Sequence, residues 1–281
     1  MINDPIAPAA QNAQDSKATQ KLVKAGFRFG DKGTHTSRTI MLHELTLLLE
    51  ACPDSASREG YMTAVIGQNC LGKRTVATRK LSAQRLSELY AIDPNIVLFR
   101  VLRECWRADE KGRPLLAVLA AMARDPLLRA TAAPIIRMRP GEELARQEIT
   151  DVLRQCAGDR LNDSTLDKVV RNVSSSWTQS GHLKGRARKV RQRVEPTPIV
   201  MAYALLLGYV LGARGSSLFE TLWARTLDAP PHELVPLAIA AKRLGFLDMS
   251  QAGGVIQVSV APILTEDERQ LIHGTNRRVS Q

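Results

Sequence analysis

Residues 161–194 read LNDSTLDKVVRNVSSSWTQSGHLKGRARKVRQRV. Leu166, Val169, Val170, Val173 and Trp177 fall at i, i+3, i+4, i+7 and i+11, the stripe of an amphipathic helix whose apolar side enters a core. The spacing predicts a helix from about Ser164 to Ser180. Ser164 and Asp167 stand at capping-box separation, where a serine oxygen accepts from an orphan first-turn amide and the acid reaches back. Gly181 then turns the chain. Beyond it, Val190 and Val194 alternate with Arg191 and Arg193, the period of a strand with one inward face and one basic outward face. Gly185-Arg186-Ala187-Arg188 falls at the tip of the implied hairpin. Lys184, Arg186, Arg188, Lys189, Arg191 and Arg193 crowd into this arm, and no acid intervenes before Glu195. A helix followed by a basic hairpin is the pattern of a winged-helix module, expected over about 142–195.

The polar side of the same helix carries Lys168, Arg171, Asn172, Ser175 and Gln179, side chains able to bond phosphates and base edges. DNA is a dense line of phosphates, and neutralising several of them releases condensed counterions. A hairpin with arginines at its tip can enter a minor groove or lie along phosphates. The expected partner is therefore double-stranded DNA. The competing reading is a solvated surface helix followed by a basic linker.

Upstream, residues 38–51 carry Ile40, Met41, Leu45, Leu48 and Leu49 at helical spacing, and Pro53 ends that run. Further helices are expected from about Ser57, from Arg74 to Tyr90, from Asn95 to Arg107, from Pro114 to Arg124 and from Glu142 to Ala157, with an interrupted one between Pro126 and Met138. Residues 38–138 thus read as an all-helical bundle. Within it, Lys73, Arg74, Arg79, Lys80 and Arg85 make a second basic cluster, with Thr75 and Thr78 as short donors. Lys73 and Arg74 stand at a helix start, where backbone amides also favour a phosphate. The segment GQNCLGK resembles a phosphate-binding loop only superficially. Arg74 replaces the required Ser or Thr and a helix precedes it, so ATP binding is rejected.

Residues 1–37 read as a flexible basic arm, with Phe27 and Phe29 able to anchor its end. Downstream of Pro196 and Pro198 the residues 197–265 read as a C-terminal helical lobe, followed by a tail at 266–281. The run IVMAYALLLGYVLG, 199–212, is too short for a bilayer and reads as a buried core helix. Alternation on either side of Gly253-Gly254 predicts a second hairpin, with no basic tip. The domains expected are then 38–138, the DNA-binding module 139–196, and 197–265.

The whole chain of 281 residues has a formal charge of +11 and is 44% hydrophobic, which excludes wholesale disorder and favours an anionic partner. Cys52, Cys70, Cys105 and Cys156 are far apart and read as reduced thiols of a cytoplasmic protein. The five histidines do not cluster, so no metal site or cofactor is expected. No catalytic motif stands out, and no enzymatic activity is expected.

The segments SRTIMLHELTLLLEACP and IGQNCLGKRTVATRKLSAQRLSELY, with STLDKVVRNVSSSWTQSGHLKG further on, resemble the BrxA family over about residues 37–195. Members of that family are small accessory components of BREX bacteriophage-exclusion systems. The resemblance implies a helical protein of winged-helix character that binds duplex DNA, here through Lys73, Arg74, Arg79 and the 168–193 module. The segment 197–265 is extra relative to that family. Two other functions remain open: an adaptor that docks on larger defence proteins, and an RNA binder. Aromatic residues are only 4% of the chain, which gives the RNA reading no stacking platform.

Overall fold

A computed structural model describes residues 13–273. The protein is mainly helical, with two small antiparallel sheets of two strands each among the described residues. The first part runs α1 (Ala13–Ala25), α2 (Leu42–Ala51), α3 (Arg58–Ile66), α4 (Val76–Tyr90), α5 (Val97–Ala108), α6 (Arg113–Arg124), α7 (Pro126–Ala130) and α8 (Ala132–Arg137). Then come α9 (Arg146–Ala157), α10 (Asp163–Gln179) and the hairpin β1 (Leu183–Lys184) and β2 (Val190–Arg191). The last part holds α11 (Pro198–Val210), α12 (Leu222–Arg225), α13 (Pro231–Arg243), β3 (Asp248–Ala252), β4 (Val255–Ser259) and α14 (Glu266–His273).

The apolar run at 199–212 is the centre of the molecule. Every residue from Ile199 to Val210 is buried, because a helix apolar all round has no side to offer water. Thr197 caps it and Pro198 opens it. It packs on α5 and α6 on one side and on α12 and α13 on the other, so residues 197–265 share one hydrophobic cluster with the first bundle. Gly208 lets α11 approach closely: a Cβ there would stand 2.9 Å from the Thr221 side chain.

Several expected boundaries move. The first core helix begins at Leu42, not Arg38, because Met41 takes a left-handed conformation (φ 51°). The interrupted helix breaks at Thr131, while Pro134 sits inside the first turns of α8, where its missing amide costs nothing. Residues 1–12 of the expected arm lie outside the described residues. The remainder is structured: α1 is followed by Phe27, 2% exposed and edge-on to Trp223 at 5.9 Å, and by a 3-10 turn at Thr34–Thr36. Of the expected tail, residues 274–281 lie outside the described residues, while α14 is tied back by Glu268, which accepts from Arg100 at 2.6 and 2.7 Å. The second hairpin forms as its alternation predicts, with Met249 paired to Val258 and the turn at Gly253-Gly254.

Candidate nucleic-acid interface

The helix α10 forms where its stripe predicts, and Leu166, Val169, Val170, Val173 and Trp177 are all buried. The cap differs from the expectation. Asn162, not Ser164, accepts from the Thr165 amide at 2.8 Å, and Asp167 points outward to Arg146 of α9 and to Arg171 at 3.2 Å. The hairpin pairs Leu183 with Arg191 and Lys184 with Val190. Residues 141–144 lie along its returning strand: the Gly141 amide donates to Arg191 O at 2.9 Å, Arg191 N to Glu142 O at 2.8 Å, and Leu144 N to Lys189 O at 2.8 Å. The hairpin therefore grows out of a third extended segment that precedes α9. Gly185 makes its turn with φ 114°, and a Cβ there would lie 2.0 Å from the Arg188 carbonyl oxygen, so only glycine fits.

A buried polar network holds the inner side of α10. His35 Nδ1 lies 2.8 Å from Asp125 Oδ2, and its Nε2 lies 2.8 Å from Ser176 Oγ. The other Asp125 oxygen caps α7 by accepting from Leu127 and Leu128. Burial alone would raise the Asp125 carboxyl. The facing His35 ring and the amide donors outweigh it and hold the group below the usual carboxylate range. Ser176 Oγ also donates to the Asn172 carbonyl and accepts from Ile40 N. Serine, histidine and aspartate stand in the order of a nucleophile, base and orienting acid. All three are at most 1% exposed, however, so this triad faces protein instead of a substrate.

Below the helix, Trp177 Nε1 donates to Thr131 Oγ1 at 2.8 Å and its ring meets His182 edge-on at 4.9 Å. His182 Nε2 stands 2.8 Å from the Thr226 carbonyl, which can only accept, so that nitrogen carries the proton. Burial pushes the His182 pKa down to about 4.

The expected DNA-facing residues divide into two groups. Lys168, Lys184 and Arg186 are exposed, and no ion pair or hydrogen bond engages their side chains among the described residues. Arg171 is exposed beside Asp167, and Arg188 is exposed with Glu143 as a two-pronged partner at 2.5–3.1 Å. Lys189 reaches back to Thr178 Oγ1 at 2.8 Å, tying the tip to α10, and partial burial lowers its pKa. These six stand on one helix and the hairpin beside it.

The rest are occupied by the fold. Arg191 is 2% exposed, and the expected outward face is reversed there. Its guanidinium pairs with Asp228 and donates to Ile135 O at 2.9 Å, which removes it from solvent. Arg193 is exposed but paired with Glu233 at 2.5 Å. Asn172 donates to His35 O at 2.8 Å and Gln179 accepts from Leu42 N at 3.2 Å, so both amides bond protein backbone. Ser175 is half-buried.

The second cluster stands on another element, at the start of α4, which packs on α3 and α6. Thr75 is the N-cap, accepting from Thr78 N and bonded to the Thr78 hydroxyl at 2.8 Å. Lys73 pairs with Glu44 at 3.0 Å, and Arg79 donates to Ile66 O and Lys73 O at 3.3 Å, bracing the loop. Arg74 and Lys80 of that group are exposed with their side chains unengaged among the described residues.

Sequence reasoning missed His35, Asp125, Glu143 and Asp228, whose partners are far away in the chain. One signal was present: Asp125 before Pro126 is a helix-cap pair. Among the described residues no group of three or more His, Cys, Asp or Glu is arranged to hold a metal ion, and no helix is long and apolar enough to cross a membrane. Set against known proteins, the chain matches no family model and no curated protein sequence.

Proposed function

We propose that this protein binds double-stranded DNA through α10 and the adjoining hairpin, and that it acts by binding and not by catalysis. The observation that carries this reading is the set Lys168, Arg171, Lys184, Arg186, Arg188 and Lys189 on one helix and its hairpin, four of them without an acidic partner among the described residues. Support also comes from the element order. An extended segment, two helices and a hairpin whose second strand returns to that segment is the arrangement of a winged helix, with α10 as the groove-entering helix and residues 185–189 as the wing. The inner side of α10 is fixed by buried hydrogen bonds, which presents the outer cations on a rigid support. The resemblance of the segments around α2–α4 and α10 to the BrxA family supports reading this binding as part of a cytoplasmic phage-exclusion system of prokaryotes.

Phosphate contacts dominate such an interface. With about six phosphates neutralised, log affinity for duplex DNA falls against log salt with a slope of about −5. Gel shifts with a random-sequence duplex across a salt series measure it, and a slope near zero removes the reading. The same series with duplex RNA tests the RNA alternative.

A second reading, protein docking, draws on the C-terminal hairpin region. Leu244 and Val255 are 56% and 70% exposed, and Ile239 is 38% exposed on the same unit. Pull-down of other defence proteins by the full chain, lost on Leu244→Glu with Val255→Glu, would favour an adaptor.

A further inference from the structure

A cleft of about 620 Å³ opens between the α10 unit and the C-terminal helices. That volume lies within the 300–1,000 Å³ range of small-molecule sites. Its walls are largely apolar, with Ile136 and Met138 on one side and Phe219 and Pro230 on the other. Six charged residues also line it, and four of them cancel in pairs: Arg191 with Asp228, and Arg193 with Glu233. The remaining two are Glu220 and Arg225. Both are exposed, and no hydrogen bond or ion pair engages either side chain among the described residues. Glu220 ends the 3-10 turn Gly215–Glu220 and Arg225 ends α12, so one short stretch of backbone sets both.

One free cation, one free anion and an apolar wall are complementary to a small zwitterion with an apolar body. We propose that this cleft binds a free amino acid with a large apolar side chain, its carboxylate on Arg225 and its ammonium on Glu220. A ligand with a carboxylate alone would meet Glu220 unfavourably, and one with an ammonium alone would meet Arg225 unfavourably. A guanidinium matches a carboxylate in a planar two-bond geometry, and a glutamate accepts from an ammonium. The side chain lies over Ile136 and Pro230, where it removes apolar surface from water. No residue of the 184–189 tip lines the cleft, so the proposal stands apart from DNA binding.

The test uses the full chain with labelled Ile and Met methyl groups and three probes: L-phenylalanine, phenylacetate, which lacks the ammonium, and phenethylamine, which lacks the carboxylate. The expected result is saturable movement of the Ile136 and Met138 methyl resonances by L-phenylalanine, with each one-charge probe binding about five-fold weaker or worse. Arg225→Gln and Glu220→Gln each weaken L-phenylalanine by about ten-fold, the scale of one charge-assisted hydrogen bond. Both positions are exposed, and a thermal melt verifies that the variants stay folded. Methyl groups that do not move overturn the proposal, and so does a one-charge probe that binds as tightly as the zwitterion.

Discussion

Residues 141–191 and residues 213–259 follow the same order: an extended or 3-10 segment, two helices, and a hairpin whose returning strand packs near that segment. They are fixed differently. In the first unit Ser174, Ser176, Ser180, His182 and Arg191 are all buried polar residues, whereas in the second only Thr226 is, among the described residues. The α13 helix rests on α11 through Leu234, Ala238 and Ala241, contacts that tolerate small shifts. Hydrogen bonds do not tolerate them, since they weaken steeply with distance and angle. The tips differ too. One presents Arg186 and Arg188, the other Gly253 and Gly254. The difference teaches that a hydrogen-bonded inner face and a basic tip sit together in one unit and are both missing from its counterpart.

The largest way to break that contrast is Arg191→Ala. Removing the guanidinium leaves Asp228 buried without its partner, and the expected loss is about 3–5 kcal/mol in urea denaturation. If Arg191 were instead a phosphate contact, stability would hold and only DNA affinity would fall.

Acid comes next. Folded His182 titrates near 4 against 6.5 for the ordinary side chain. The unfolded chain therefore takes up a proton first as pH falls. Stability is lost progressively between those two values, by about 3 kcal/mol in all. Asp125 adds a loss at lower pH, since its stabilisation vanishes as pH falls through its depressed pKa. Urea midpoints for the wild type and His182→Gln measure the effect, and an unchanged slope in the variant would discount His182.

Charge reversal of the tip follows. Lys184→Glu, Arg186→Glu and Arg188→Glu together should cut duplex affinity about a hundredfold at low salt while the melt stays put. Installing lysines at Gln251 and Gln257 sharpens the comparison from the other side, because a basic second hairpin without a pinned helix should recover little specific binding. The smallest effect is on Leu244→Glu. An exposed position costs at most about 0.5 kcal/mol, so a larger loss would show that this surface is covered.

The helical class, the α10 stripe and both hairpins were legible because each follows from neighbours in sequence. Val169 and Val173 announce a helix face, and Gly253-Gly254 announces a turn. The site was legible only in part. Alternation set Val190 inward and Arg191 outward, yet Arg191 turns in because Asp228 waits 37 residues further on. Asn172 and Gln179 have the chemistry to read bases, but they bond the backbone at residues 35 and 42. Nothing local in the sequence distinguishes an amide that meets DNA from one that meets its own chain. The described part of the arm read as flexible because its composition is polar; Phe27 was legible as an anchor, but the burial of His35 was not, since its partners lie at residues 125 and 176.

The link between His35 and Ser176 spans 141 residues. During synthesis at about 5–20 residues per second, the imidazole is added to the chain roughly seven to thirty seconds before its serine partner. Throughout that interval the 33–42 segment can meet Glu88, Tyr90 and Asp125 but lacks the α10 face that covers it. A nascent chain stalled before α10 should therefore offer this segment to proteases and chaperones, and release of the full chain should withdraw it.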